Sequence, residues 1–160
     1  MNSMWVLIAN SSSAHIFDVK DMGKSINKMD SRLYPEGRAH EGDINTDKQG
    51  SAHSSVGSAG HKMSSSVSMR SHQNQRWATE LAIFLSKKLS QGAFTSLSVA
   101  APAQLMGEIR NAFDKNKALA KVVVQEEVKD YPESLSESQM VAGFCKSFDL
   151  HQHESYKKVK

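Results

Sequence analysis

The sequence has few of the residues and patterns that mark several common classes of protein. Cys145 is the only cysteine among 160 residues, so no disulfide can form within the chain and a reducing, cytoplasmic setting is expected. No apolar run approaches the roughly 20 residues that a membrane-spanning helix needs. The apolar stretch at residues 4–9 lacks a basic leader and is too short for a secretion signal. The net charge of +3 is too small to indicate a nucleic-acid partner by itself.

Patterns of catalytic and metal-binding residues are also missing. Two-metal nucleases need several carboxylates at strand ends to hold ions about 4 Å apart. The predicted strands at 4–9 and 94–101 carry no acid, and Glu80 stands alone on its helical turn. Residues 57–60 read Gly-Ser-Ala-Gly, which is not the Gly-x-Ser-x-Gly elbow of serine hydrolases. The seven histidines have neither cysteine partners nor His-x-x-x-His spacing, so we interpret them as solvated. We predict no catalytic residue, no metal and no cofactor.

A helix–strand–helix unit over residues 75–112 is the clearest pattern that the sequence does contain. Apolar residues recur at helical spacing over 77–89, and Gly92 is placed to end that helix. Phe94–Ala101 has the length of a buried strand, and Pro102 stands where a second helix can begin. A unit of this kind implies a parallel sheet with helices packed on its faces.

Further strands precede and follow this unit. The predicted elements are strands at 4–9, 14–19 and 25–34, a helix from 75, a strand at 94–101, a helix from 102, a linker at 116–121, a strand at 122–128 and a helix after a Ser136–Gln139 capping box. Three antiparallel strands followed by helix–strand–helix–strand is the order of an RNase H-like mixed sheet. The sequence therefore predicts one three-layer α/β domain over residues 1–150.

A polar segment separates the two halves of this domain. Residues 35–73 contain five glycines, and nine serines lie between residues 50 and 73. A segment of that length and composition is either functional or disordered. We predict a long polar loop at 35–73 and a flexible polar tail at 151–160.

Short motifs along the chain resemble those of the bacterial host attachment proteins. Residues 5–17 resemble the pattern W-x-x-x-A-[DN]-x-x-x-A-x-[IV]-[FY], and residues 34–38 resemble H-P-E-x-R with Tyr34 in place of histidine. Other matches are D-x-x-G-[RS] at 47–51, F-A-x-E-[LI]-A at 77–82, L-x-x-x-A-P-x-x-L-G-x-[IL]-R at 97–110 and x-K-D at 128–130. The resemblance covers the chain from Trp5 to about Asp130.

That family is similar in turn to the middle domain of the eukaryotic and archaeal peptide-release factors. Release factors carry a Gly-Gly-Gln loop before the long helix, where it triggers hydrolysis of peptidyl-tRNA. The corresponding residues here, 50–75, include Gln73 and Gln75 but no Gly-Gly-Gln. The resemblance thus implies the release-factor fold and a link to RNA or the ribosome, without peptide release by that mechanism. It also implies a part in host-cell attachment, which we expect to be indirect.

The expected function is that of a non-enzymatic, cytoplasmic binding protein whose 35–73 segment contacts RNA, a ribosome or a protein partner. The rival hypothesis is a hydrolase that acts on a nucleotide or RNA ester, with the same segment as its lid. That rival requires the carboxylates of Asp47, Glu80 and Asp130 to converge. The oligomeric state is left open, including a dimer in which the segment becomes ordered.

The candidate binding residues, taken from the motif positions, are Asn10, Ser13, Arg38, Asp47 and Arg110. Arg38 or Arg110 would meet a phosphate or carboxylate, because the guanidinium group matches both in geometry. Asp47 would order the loop. Each has a structural alternative, since Asn10, Ser13 and Asp47 are typical turn formers and Arg110 can form a surface ion pair on its helix.

Overall fold

The computed structural model describes residues 3–35 and 59–150, with side chains of the first helix described from Met69 onward. The elements in these ranges are β1 (Met4–Ala9), β2 (Ser13–Lys20), β3 (Ser25–Leu33), α1 (Ala59–Ser90), β4 (Ser96–Ala101), α2 (Ala103–Asp114), α3 (Lys117–Val122), β5 (Val123–Val128) and α4 (Glu137–Ser147). A tight 3-10 turn at Asp21–Gly23 joins β2 to β3, and all three of its residues have positive φ.

The five strands form one mixed sheet in the order β3-β2-β1-β4-β5. β1 is antiparallel to β2 and parallel to β4. Of the two edge strands, β3 is antiparallel to β2 and β5 is parallel to β4. β1 lies at the centre because it is apolar throughout, and its side chains from Trp5 to Ala9 are all buried. The predicted mixed α/β sheet and the order of its strands along the chain are therefore confirmed.

Helices cover both faces of the sheet. Side chains alternate along β1, so Trp5 and Leu7 face α1 and α2, whereas Val6 and Ile8 face α4. The two resulting clusters of buried side chains give the three layers that the sequence predicts. Each cluster draws apolar residues from strands and helices that are distant in the sequence, so the sheet and its helices depend on one another for burial.

The first helix is longer than the sequence predicts. α1 begins at Ala59, so the predicted polar loop at 35–73 is wrong in its second half. Among the side chains of α1 from Met69 onward, residues 69–72 are exposed, and burial is first seen at Gln73 and Asn74. The half that packs on the sheet supplies the helical template, and extending an existing helix costs much less than starting one. Residues 36–58 and the predicted tail at 151–160 lie outside the described residues.

A second difference concerns the predicted linker at 116–121. The structure has α3 there, capped by Asn116, whose Oδ1 accepts a hydrogen bond of 3.2 Å from the backbone N–H of Leu119. Leu119 is fully buried and fixes this short helix against the core. The predicted capping box at the start of α4 is confirmed, with Ser136 and Gln139 bonding each other's backbone N–H.

Gly143 on α4 allows a close approach to the ring of Tyr131, which is 2% exposed. A Cβ at position 143 would lie 2.8 Å from Cε1 of that ring and 3.2 Å from its hydroxyl oxygen. The segment between β5 and α4 is therefore held against α4 by a contact that only glycine leaves room for.

We expect Gly143→Ala to lower the free energy of unfolding by about 1–3 kcal/mol, because it forces extra volume into a filled contact. The measurement is the urea midpoint of the purified protein. Gly107→Ala on α2 is the matched control, since an added Cβ there meets nothing within 4 Å. Helix propensity alone should make that control up to about 1 kcal/mol more stable. Equal midpoints for the two variants would contradict the packing argument.

Candidate functional site

The carboxyl end of β1 is organised by Asn10. Its Oδ1 accepts hydrogen bonds from the backbone N–H groups of Ser12, at 2.9 Å, and Ser13, at 2.8 Å. Its own backbone N–H donates to the carbonyl oxygen of Ser13 at 2.9 Å. These bonds close the turn between β1 and β2 in the manner of an Asx turn.

Asn10 also joins this turn to two other parts of the fold. Its Nδ2 donates to the carbonyl oxygen of Tyr131 at 3.3 Å, which ties the turn to the segment before α4. Its carbonyl oxygen accepts from Nε1 of Trp77 at 2.9 Å, which ties it to α1. One asparagine therefore links three elements from opposite sides of the sheet.

Ser13, the second predicted binding residue, lies in the same turn. It is 2% exposed, and its hydroxyl lies 3.1 Å from Oδ1 of Asn10. Ser12 was not predicted, yet its less buried hydroxyl donates to Oε1 of Glu133 at 2.7 Å. The sequence signal for Ser12 is its place two residues after a turn-forming asparagine. The turn thus accounts for the hydrogen bonds of Asn10 and Ser13, and a binding role for them stays a prediction.

Arg110 lies on α2 beside the edge strand β5. Its Nε donates to Oε2 of Glu126 at 2.6 Å, and both side chains are partly exposed. This is the ion pair that the structural alternative predicts, and a pair so exposed contributes about 0–1 kcal/mol. The structure therefore groups Asn10 with Ser13 and places Arg110 on a different element with a different partner. Arg38 and Asp47 lie outside the described residues.

Titratable groups give little support for acid–base chemistry in the described part of the chain. Within residues 3–35 and 59–150, no cluster of three or more His, Cys, Asp or Glu side chains could hold a metal ion. Cys145 is buried, and burial raises the pKa of its thiol to about 11. Burial likewise raises the pKa of Tyr131 to about 12. Both groups are therefore neutral near pH 7. The convergence of Asp47, Glu80 and Asp130 stays a prediction, because Asp47 is not among these residues.

A row of stacked side chains connects β3 to α1, and sequence reasoning missed it. Tyr34 stacks on Trp77 with ring centroids 4.9 Å apart and an angle of 17° between the rings. Arg32 precedes Tyr34 by two residues, and Phe84 follows Trp77 by two helical turns. The guanidinium carbon of Arg32 lies 4.6 Å from the ring centroid of Phe84. Nζ of Lys88 lies 5.7 Å from the same centroid. We call these five residues the stacked row.

The spacing of the stacked row follows from regular geometry. Residues two apart on a strand share a face, so Arg32 and Tyr34 both point toward α1. Residues seven apart on a helix also lie nearly on one side, which aligns Trp77 with Phe84. Lys88 follows Phe84 by four residues, so it is on the same helical face. The sequence holds these spacings, but nothing in it states that β3 and α1 are neighbours.

No helix among the described residues is both long enough and apolar enough to span a bilayer. The model of the bacterial archaeo-eukaryotic release factor family 12 matches residues 3–138. A comparison with curated proteins finds no match.

Two solved structures resemble the fold. One, described as an archaeal protein, is 12% identical with a TM-score of 0.49, and the match covers 98% of this chain and 36% of that one. The other, the archaeal translation termination factor aRF1, is 14% identical with a TM-score of 0.49, covering 98% of this chain and 37% of that one. The chain therefore spans little more than a third of these structures. Likenesses this distant carry no argument about activity.

Proposed function

Because the chain belongs to bacterial archaeo-eukaryotic release factor family 12, we propose that it is a non-enzymatic cytoplasmic protein that binds the ribosome or its RNA. The release-factor part of the motif resemblance is confirmed by the family match, while the host-attachment part stays a prediction. The proposal concerns binding alone, since the sequence contains no Gly-Gly-Gln for peptide release.

The observation that carries the proposal is the first half of α1. The helix has 32 residues and is therefore about 48 Å long, whereas the six-residue strand β1 spans only about 20 Å. Among the described side chains of α1, those of residues 69–72 are exposed, and the first ones buried against the sheet are Gln73 and Asn74. We call residues 59–72 the α1 arm, because this part of the helix precedes the first of its described side chains that are buried.

The charge of the α1 arm fits a phosphate-rich partner. The sequence has no Asp or Glu between Lys48 and Thr79, while it has Lys62, Arg70 and Arg76 in that interval. A helix that carries basic residues and no acidic ones gains affinity for nucleic acid by releasing the counterions that surround the phosphates. An arm built only to solubilise the helix would carry acids as readily as bases, so its one-sided charge supports RNA binding.

A pull-down from bacterial lysate tests this proposal, with the captured material identified by mass spectrometry and RNA sequencing. The intact protein is expected to capture ribosomal proteins and ribosomal RNA, and a variant lacking residues 50–72 to lose them. That deletion ends before Asn74, so the buried half of α1 is kept. The control lacks residues 151–160, which removes Lys157, Lys158 and Lys160 from outside the α1 arm.

The result that would contradict the proposal is capture of no ribosomal component by the intact protein. Equal capture by the intact protein and the 50–72 deletion would remove the α1 arm as the contact. An effect on attachment to host cells, if the protein has one, would follow from altered protein synthesis. It should then disappear in the same deletion variant that loses the ribosome.

A further inference from the structure

Two cationic side chains of the stacked row converge on one aromatic ring. The guanidinium of Arg32 and the ammonium of Lys88 both lie within 6 Å of the centroid of Phe84. Both residues are half-buried, and neither forms an ion pair within the described part of the chain. No carboxylate among the described residues neutralises these two charges, so this site has positive charge to offer to a ligand.

Hydrogen bonding at Arg32 leads to the same conclusion. Its Nε is buried and has no hydrogen-bond partner among the residues that the structure describes. Asp30 lies two residues earlier on the same face of β3, but its Oδ1 accepts from the backbone N–H of Ser31 at 2.8 Å, and it makes no ion pair with Arg32. A buried donor without a partner is destabilising, and an anion bound to the outer N–H groups of this guanidinium would offset part of the cost of leaving its charge unpaired.

The ring of Phe84 lies against the guanidinium group of Arg32 and restricts its orientation. Stacking on an aromatic face fixes the plane of a guanidinium group and leaves the N–H groups along its edge free to bind. A planar fork held in this way suits bidentate contact with a phosphate, and a nearby ammonium adds a second charge. Lys88 is placed for that role, because it lies one helical turn beyond Phe84 on the same face of α1.

We propose that Arg32 and Lys88 bind a backbone phosphate of RNA, with Phe84 orienting the guanidinium group. This inference rests on the proposed function and gives it a second contact surface. Lys88 follows Arg70 by 18 residues, which is about 27 Å along the helix axis. RNA that meets the α1 arm would thus have a second anchor near the other end of the same helix.

The test is fluorescence anisotropy with a labelled single-stranded RNA of mixed sequence, titrated with the full chain at several salt concentrations. Each phosphate contact contributes about 0.7 to the slope of log affinity against log salt for a single strand. Lys88→Gln and Arg32→Gln should therefore each lower that slope by about 0.7. Over a tenfold rise in salt, each variant should therefore lose about fivefold less affinity than the intact protein loses.

Two further variants separate a specific contact from general charge and from loss of fold. Lys146→Gln removes a cation from the exposed surface of α4, on the opposite side of the sheet, and should leave the slope unchanged. Arg32→Lys keeps the charge, so the slope should be kept while the bidentate contact and the affinity are reduced. Urea midpoints of all variants, compared with the intact protein, establish that each remains folded.

Three results would overturn the inference. If the intact protein binds RNA and the Arg32 and Lys88 variants bind with the same slope, the site is not a contact, and the proposed function stands without it. If Lys146→Gln lowers the slope equally, the effect is one of net charge. If ribosomes are captured through Lys88 while free RNA is not bound, the partner of this site is an acidic ribosomal protein.

Discussion

Trp77→Ala is expected to lower the free energy of unfolding by about 3–5 kcal/mol, the largest effect of any substitution considered for this chain. Trp77 is 1% exposed, stacks on Tyr34 and donates its indole N–H to the carbonyl oxygen of Asn10. Alanine would leave a cavity between β3 and α1 and an unpaired carbonyl at the end of β1. Equilibrium unfolding in urea, followed by far-ultraviolet circular dichroism, measures the loss.

Two variants show which part of Trp77 is responsible. Trp77→Phe keeps a ring to stack on Tyr34 but removes the indole donor, so it should cost less than the alanine variant. Ile83 lies six residues further along α1, and its side chain is 66% exposed. Ile83→Ala should therefore change the free energy of unfolding by no more than about 0.5 kcal/mol. A loss at Ile83 as large as that at Trp77 would mean that α1 is anchored elsewhere.

Asn10→Ala is expected to cost about 2–4 kcal/mol, although the residue is small and only partly buried. The substitution leaves the N–H groups of Ser12 and Ser13 without their acceptor, and each unpaired buried donor costs about 1–3 kcal/mol. It also removes the bond to the carbonyl oxygen of Tyr131. The free energy of unfolding in urea tests this, and hydrogen exchange at Ser12 and Ser13 should speed up more than exchange in β3.

Two matched controls test this interpretation of Asn10. One keeps the hydrogen-bond acceptor at the same position, and the other removes an asparagine from an exposed position. Asn10→Asp retains the acceptor for the turn and loses the donor to Tyr131, so it should be less harmful than alanine. Asn27→Ala removes an exposed asparagine of β3 whose described side-chain contact is a 3.4 Å bond to Ser25, and should be nearly neutral. If Asn10→Ala were as mild as Asn27→Ala, Asn10 would not be structural and its predicted role in binding would gain support.

The fold was predictable wherever burial leaves a periodic trace in the sequence. The apolar run of β1 and the apolar stripe from Trp77 onward both reflect contact with the core, and both elements were found close to their true positions. Residues 69–72 of α1 leave no such trace, because their side chains face solvent. α3 is too short to have an apolar stripe. The structure shows that the cap at Asn116 and the buried Leu119 stabilise it, and a single apolar residue after an asparagine does not distinguish a helix from a linker in the sequence.

The candidate site was predictable only in its local part. The sequence around Asn10 indicates a turn, and the structure has that turn. The bonds from Asn10 to Tyr131 and Trp77 depend on which elements are neighbours in space, which no short window of sequence contains. The same is true of Arg32 and Phe84, whose contact requires β3 to lie beside α1.

The two strands that pair with β1, which are β2 and β4, differ in their sequence separation from it. We expect this difference to determine the order in which the strands pair during folding. Met4 pairs with Val19 on one side and with Ser96 on the other. Closing the longer connection costs about 1.5 kcal/mol more chain entropy than closing the shorter one. Strands β1 to β3 can therefore pair while β4 is still being synthesised. Until β4 arrives, one apolar edge of β1 is open, and aggregation of the nascent chain is expected to begin from that edge.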